Sequence, residues 1–307
     1  MLRWMLASTL LISTHAVAQQ SSTTITPAEV ASASTELSLA TSAPVVKSPW
    51  HLVLGSENYT YENEQRAHGS DAPIISYNFV GARYNINAKW DVELRQQFQY
   101  VSNIEHLGGR DRTLHRNTLE LAETVLRVIA KPGWSLVGSK NTMFDFRYYA
   151  PTDHTSQFNQ ELGRLRLDAY TEWVYNPQWT VGALLSPRVL LNSPANPNGQ
   201  VGSDAQYYMI KAAPYVYYNF NDIVQAYYAY TYVGASTQAQ RGSWDPDMVN
   251  GSAQEIGVNI SYGPFLINPA IVSETNLNDS SGSVMSDDSR AFAYDGLSYN
   301  LNLYATF

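Results

Sequence analysis

The stretch AFAYDGLSYNLNLYATF, residues 291–307, decides how the rest of the chain is read. Leu297, Tyr299, Leu301, Leu303, Ala305 and Phe307 fall on one face, and Ser298, Asn300, Asn302, Tyr304 and Thr306 on the other. A period of two is the period of a β-strand. One face is apolar to its last residue. The other is polar and carries no charge. A strand of this kind divides two environments, one greasy and one wet.

The same alternation recurs upstream. Working back from Phe307, twelve strands are expected, near 49–61, 74–86, 89–102, 117–130, 133–146, 162–175, 178–191, 205–219, 222–234, 253–262, 264–274 and 291–307. Each is as long as the ~9–11 residues that a tilted strand needs to cross a bilayer's hydrocarbon. Tight turns are read at Ile86-Asn87-Ala88-Lys89, Lys131-Pro132-Gly133, Asn176-Pro177-Gln178, Asn219-Phe220-Asn221-Asp222 and Tyr262-Gly263-Pro264. They alternate with longer connections near 62–73, 103–116, 147–161, 192–204, 235–252 and 275–290.

This rhythm, ending on a terminal aromatic, resembles bacterial outer-membrane β-barrels. The resemblance implies an all-β, transmembrane, antiparallel up-and-down barrel of about twelve strands over residues 49–307, with short periplasmic turns and long extracellular loops. It implies the outer membrane of a Gram-negative bacterium as location, and both termini in the periplasm. It also implies contact with membrane lipid and lipopolysaccharide, and recognition of the C-terminal strand by the barrel-assembly machinery.

Tryptophan supports the expectation. Trp50, Trp90, Trp134, Trp173 and Trp179 all gather at the expected periplasmic ends, as an aromatic belt at the headgroup level requires. Tyr84, Tyr175, Tyr218, Tyr262 and Phe265 join that level; Tyr59, Tyr100, Tyr149, Tyr208, Tyr230 and Tyr232 lie nearer the other rim. Phe307 closes the barrel at the periplasmic rim, beside Trp50.

The composition agrees. Twenty-two Tyr and seven Trp accompany a mean hydropathy of −0.27 in 307 residues. Membrane helices would make the chain hydrophobic; strands with one wet face do not. The net charge of −8 argues against a nucleic-acid partner. With no cysteine there are no disulfides and no thiolate metal sites. No motif for a cofactor or a metal centre is read.

Upstream of the barrel, residues 1–18 read as a signal peptide: Arg3, the apolar run Met5–Ile12, then Ala16-Val17-Ala18 as cleavage site. Residues 19–48 are a Ser/Thr/Ala-rich periplasmic tether. Thr26-Pro27-Ala28-Glu29 can start a short helix there.

Alternation also assigns the interior. Arg83, Arg95, Arg127, Arg164, Arg166, Arg188 and Lys211 are expected to line a pore, facing Asp91, Glu93, Glu123, Asp168, Glu172 and Glu255. Basic side chains on the lipid face would cost about 2–4 kcal/mol each at the midplane. Strand four breaks the pattern, because Leu121 and Val125 share parity with Glu123 and Arg127, so a bulge is expected there. Pro187, Pro214 and Pro269 also suggest bulges near the rims.

Two functions follow from one interior. In the first, the charges line a narrow passage for small hydrophilic solutes. In the second, they pair across a closed lumen and the barrel serves structure or partner binding. Arg164 and Arg166, then Asn176-Pro177-Gln178-Trp179, then Arg188, give inward arginines around a tight turn. That arrangement loosely resembles the small monomeric oligogalacturonate-specific porins, which implies acidic oligosaccharides as solutes; the acids of this interior depart from it. A third reading is a lipid-modifying hydrolase. His154-Thr155-Ser156 resembles the His-x-Ser of the outer-membrane phospholipase family, with His154 as base and Ser156 as nucleophile. Gln157 and Phe158 stand where that family has Asn and Gly. His106, His115 and the oxygen-rich run Asn278–Asp288 read as solvated loop residues.

Overall fold

In the computed structural model the described residues are 48–60, 74–102, 119–134, 138–153, 156–157, 161–192, 206–237, 249–276 and 297–307. The expected signal peptide, nearly all of the tether, His106, His115, His154 and the run Asn278–Asp288 lie outside them.

The described residues form twelve strands: β1 (Trp50–Thr60), β2 (Ile74–Asn87), β3 (Trp90–Val101), β4 (Leu119–Ala130), β5 (Asn141–Ala150) and β6 (Glu161–Val174), then β7 (Trp179–Asn192), β8 (Gln206–Asn219), β9 (Val224–Thr237), β10 (Val249–Tyr262), β11 (Phe265–Asn276) and β12 (Leu297–Thr306). Each pairs antiparallel with its sequence neighbours, and β1 pairs with β12, so the sheet closes into a barrel. Closure leaves no sheet edge. The seam is bonded to its end: Leu52 N donates to Phe307 O at 3.0 Å and Phe307 N to Leu52 O at 2.9 Å. Phe307 therefore sits across from Leu52, two residues along from Trp50, with its ring 5.8 Å from that of Phe265.

The large exposed side chains of the strands are apolar. On β12, Tyr299, Leu301, Leu303 and Phe307 point out; across the seam Trp50, Leu52 and Leu54 do the same. Trp90, Trp134 and Trp179 are exposed near the short-turn end, with Tyr175, Tyr262 and Phe265, and Trp173 is half-buried there. Trp50 packs on Tyr84 and Trp179 on Tyr218, with centroids 4.7 and 4.8 Å apart. At the other rim Tyr232 points out, but Tyr59 and Tyr149 are buried, so the expected second belt loses them to the interior.

One element is displaced from its expected place. β5 was expected over 133–146 but spans Asn141–Ala150. The connection from β4 therefore covers 131–140 rather than a tight turn at Lys131-Pro132-Gly133. Trp134 belongs to this connection and folds back on Phe144, 5.9 Å between rings. The strict alternation of short and long connections fails at this point.

The bulge expected in β4 is present, as a register shift between Gln96 and Phe98 of β3 against β4. It turns Leu121 outward while Glu123, Val125 and Arg127 face in. A second bulge sits at Gly163, whose φ is +116°; a Cβ there would meet the carbonyl oxygen of Tyr149 at 2.5 Å. The prolines make no bulges. Arg166↔Arg188 and Ala169↔Leu185 keep one register on either side of Pro187, as do Ala212↔Tyr232 and Tyr215↔Ala229 beside Pro214, and Gly257↔Ala270 and Ile260↔Ile267 beside Pro269. Each proline leaves a gap in one of its two ladders only. The reason is its missing N–H, which would have pointed to that neighbour.

Candidate functional site: the barrel interior

All thirteen residues expected to line a pore point inward. Arg83 is half-buried and the other twelve are buried. Around the wall from β2 to β7, cross-strand pairing sets Arg83 beside Glu93, then Arg127, Arg147, Arg166 and Arg188 in one continuous row. Like charges side by side would repel. Acids from this row and the next hold them.

Glu93 accepts from Arg83 Nε at 2.7 Å, from Arg127 Nη1 at 3.1 Å and from Arg95 Nε. Asp145 accepts from Arg127 Nη2 at 2.5 Å and from Arg147 Nε at 2.8 Å. Asp168 lies 3.1 Å from Arg147 Nη2 and accepts from Arg166 Nε at 2.6 Å. Five guanidinium groups thus share three carboxylates in one connected chain. Multiple charge-assisted bonds per carboxylate offset the cost of burying it. Toward the long-loop end the balance reverses, since Arg164 reaches both Glu161, at 3.2 Å, and Glu123, at 3.5 Å. Asp91 pairs with Lys131 at the short-turn rim, 2.7 Å apart.

Burial differs within the network. The side chains of Arg83, Arg147, Arg164 and Arg95 keep 14, 12, 9 and 8% of their surface, whereas Glu93, Asp145, Asp168 and Glu123 keep none. Arg127 and Arg166, which bind the same acids, are buried as deeply as they are, so the row's exposed edge is made by the other arginines.

Beyond this chain of charges the interior is mostly uncharged, with Glu172, Lys211 and Glu255 as exceptions. Tyr227 OH donates to Glu255 and accepts from Asn268 Nδ2 at 3.0 Å. Asn302 Nδ2 donates to Asn268 Oδ1 at 2.9 Å, and Asn259 Nδ2 to Gln225 Oε1 at 2.8 Å. Glu172 accepts from Tyr215 OH at 3.3 Å and Asn141 Nδ2 at 3.1 Å. Lys211 is buried on β8. The uncharged face of β12 is one side of this amide and phenol network.

Glycines shape the same interior. A Cβ on Gly55 would lie 2.1 Å from the Phe79 ring, one on Gly182 2.1 Å from Tyr215, and one on Gly257 2.4 Å from the Tyr227 hydroxyl. Each glycine is the direct cross-strand partner of its aromatic residue. The rings lie against the wall only because the neighbouring strand presents no side chain. Arg95 then stacks on Phe79, 4.0 Å from guanidinium carbon to centroid. Toward the short-turn end, Ile129, Met143, Tyr170, Leu184, Tyr217 and Tyr227 join in one buried cluster.

Asp145, Arg147 and Glu161 carry much of the network but were not expected from the sequence. The signal for two of them was there: Phe144, Phe146 and Tyr148 alternate with Asp145 and Arg147, which places the charges inside by parity. Ser156 is fully buried in a single turn, its N–H held by Asp153 Oδ1 at 2.9 Å.

No protein-family model and no curated relative matches the chain. Among solved structures it is similar to a NanC porin, with 8% identity over 83% of this chain and 98% of that one and a TM-score of 0.43. It is similar also to the CymD monoaromatic hydrocarbon channel, at 10% identity over 85% and 89% with a TM-score of 0.42. The translocator domain of the autotransporter NalP from Neisseria meningitidis gives 7% identity over 91% and 97%, with a TM-score of 0.41.

Proposed function

We propose that this protein is an outer-membrane channel that passes small hydrophilic solutes by diffusion through a narrow, arginine-lined lumen. The observation that carries the reading is the set of four arginines that keep surface inside the barrel. The guanidinium groups of Arg83, Arg95, Arg147 and Arg164 keep surface toward the axis while their carboxylate partners keep none. Rings of charged side chains filter by charge in pores, and a solute here meets cationic groups first. The polar interior inside an apolar outer face fits a barrel in lipid. Phospholipid and lipopolysaccharide then surround the belt, and the β12 strand ending on Phe307 addresses the assembly machinery.

The refolded protein in a planar bilayer is expected to give discrete conductance steps, with a reversal potential in a salt gradient displaced toward the anion. Arg83→Gln removes a cation while Glu93 keeps Arg95 and Arg127. That variant is expected to move the reversal potential toward the cation. An unchanged reversal potential would remove the arginine lining from the reading.

A closed barrel is the second reading. It is favoured by the buried cluster of Met143, Tyr170, Tyr217 and Tyr227, which lines the inside from β5 to β9. Absence of any steps over a wide voltage range would sink the channel and leave this reading.

A further inference from the structure

The apolar outer wall carries a polar island. On β1 the outward parity passes from Leu52 and Leu54, both exposed, to Ser56 and Asn58; on β2 it passes from Val80 to Asn78 and Ser76 before Ile74 is exposed again. Cross-strand pairing sets Ser56 beside Asn78 and Asn58 beside Ser76, so the four side chains make one square. Apolar residues border it: Leu54 and Val80 toward the short turns, Ile74 toward the long loops, Leu301 and Leu303 on β12 and Phe98 on β3. Ser56 lies six residues from Trp50, and Asn78 six from Tyr84. At the same remove from Trp179, Tyr262, Phe265 and Phe307 the other strands carry Leu185, Ile256, Ile271 and Leu301. Gln96 and Thr124, close by, are also outward and polar, but they have a local task at the β4 bulge. Gln96 Nε2 donates to the Ala122 carbonyl at 3.1 Å, and Thr124 Oγ1 to Gln96 Oε1 at 2.6 Å.

The square does not use up its own hydrogen-bonding capacity. Asn58 Nδ2 donates to Ser56 Oγ at 3.0 Å and to the Leu301 carbonyl at 2.9 Å, and Asn78 Nδ2 donates to Ser76 Oγ at 2.9 Å. An amide offers two N–H donors and a carbonyl. Among the described residues nothing donates to Asn78 Oδ1. Its depth names what can. At ~3.3 Å per residue and a strand tilt of about 40°, six residues above the tryptophan level is about 15 Å, well inside an apolar band about 25 Å tall. Acyl chains offer no hydrogen bonds there, and a polar group left to hydrocarbon is costly. The occupant therefore brings polar side chains to that depth, as a membrane protein does. Two copies of this chain in one bilayer share orientation and depth, so a two-fold axis along the membrane normal brings island to island. An asparagine amide is its own complement, donor to carbonyl in both directions.

We propose that the outer face of β1 and β2 is the interface of a homodimer, with Asn78 of each copy bonded to the other across the two-fold axis and Leu54, Val80, Ile74 and Leu301 packed around the pair. This rests on the barrel spanning a membrane, as in the function proposed above, and leaves each copy its own lumen. Small and amide side chains serve this purpose between membrane segments, because they let backbones approach and hydrogen-bond across the contact.

The chain has no cysteine, so a single introduced thiol reports its own neighbour. Asn78→Cys, Ser76→Cys and Leu185→Cys are each refolded as full chains into phosphatidylcholine vesicles over a range of protein-to-lipid ratios and oxidised with copper phenanthroline. Leu185 is exposed at the same depth on β7, away from the island. Asn78→Cys is expected to give at least ten times more disulfide-linked dimer than Leu185→Cys; Ser76→Cys repeats the test with both asparagines kept. Sedimentation equilibrium in detergent micelles is expected to show a dimer whose dissociation constant rises at least tenfold in the Asn58→Leu, Asn78→Leu double variant. Gel migration before and after heating reports that each variant is folded. Equal cross-linking at the island and at Leu185, or an unchanged dissociation constant in the folded double variant, overturns the interface. A wild-type monomer at every ratio overturns it too and assigns the island to a different membrane protein. If that monomer conducts, the interface fails and the channel stands. If the chain does not insert into vesicles at all, the interface falls together with the membrane reading.

Discussion

Asp145 is the residue on which the charged wall turns. It holds Arg127 and Arg147 at once, and it has no exposed surface. Removing one member of a buried ion pair leaves the other charge uncompensated, at about 3–5 kcal/mol. Asp145→Asn is therefore expected to lower stability by that order, read from urea unfolding in vesicles; a loss under about 1 kcal/mol would show that water reaches these arginines and screens them. Gly182 is the second such residue. Gly182→Val forces the Tyr215 ring off the wall, because the new Cβ would sit 2.1 Å from it. Overpacking of this kind costs about 1–3 kcal/mol. In a conducting barrel the displaced ring is expected to cut single-channel conductance severalfold. Unchanged conductance would mean that solutes do not pass this level.

At the scale of the strand, β12 behaves as its sequence suggests. Its outward residues Leu301 and Leu303 are exposed and its inward residues Asn300 and Asn302 are buried. Leu301→Arg is expected to cost about 2–4 kcal/mol in vesicle unfolding, and Phe307→Arg at the rim about 0–1 kcal/mol. Equal costs at both positions would place the bilayer midplane elsewhere. β5 shows where strand reading fails. Trp134 and Leu136 have the same parity as Phe144 and Phe146, although Gly138, Lys140 and Thr142 interrupt the apolar series between them. A period of two reports faces and says nothing of where pairing begins. The start at Asn141 depends on partners far away in sequence: Lys140 N donates to Glu172 O at 2.8 Å, and Arg127 pairs across to Arg147. Asp145 and Arg147 fell to the same error, because strand five was placed too early to reach the second of them.

At the scale of the molecule, closure sets the arginine row on one wall against a mostly uncharged network on the other. β2 to β7 carry the arginine row and its acids, while β9 to β12 carry Tyr227, Asn259, Asn268 and Asn302. A passage between such walls has a transverse field, since the arginines on one side face mostly uncharged hydrogen-bonding groups on the other. Neutralising the row is expected to change selectivity more than neutralising Glu255, which lies in the tyrosine and asparagine network. Reversal potentials of Arg188→Gln and Glu255→Gln compare the two directly; a larger shift for Glu255→Gln would put the selective level on the other wall.

The alternation of apolar and polar residues by itself determined the strand number, the inward placement of the thirteen charged residues and the gathering of tryptophans at one rim. These are local properties, legible because each strand meets two solvents and side chains alternate between them. Tertiary structure alone decided which charges share a partner, that Tyr59 and Tyr149 turn inward, and that glycines face Phe79, Tyr215 and Tyr227. It also decided how the prolines are accommodated: a gap on one side of each, with register kept. Those outcomes depend on register between strands and on barrel closure. Register brings together residues as distant as Glu57 and Tyr304, whose hydroxyl donates to Glu57 at 2.9 Å, and no periodicity along one strand carries that information.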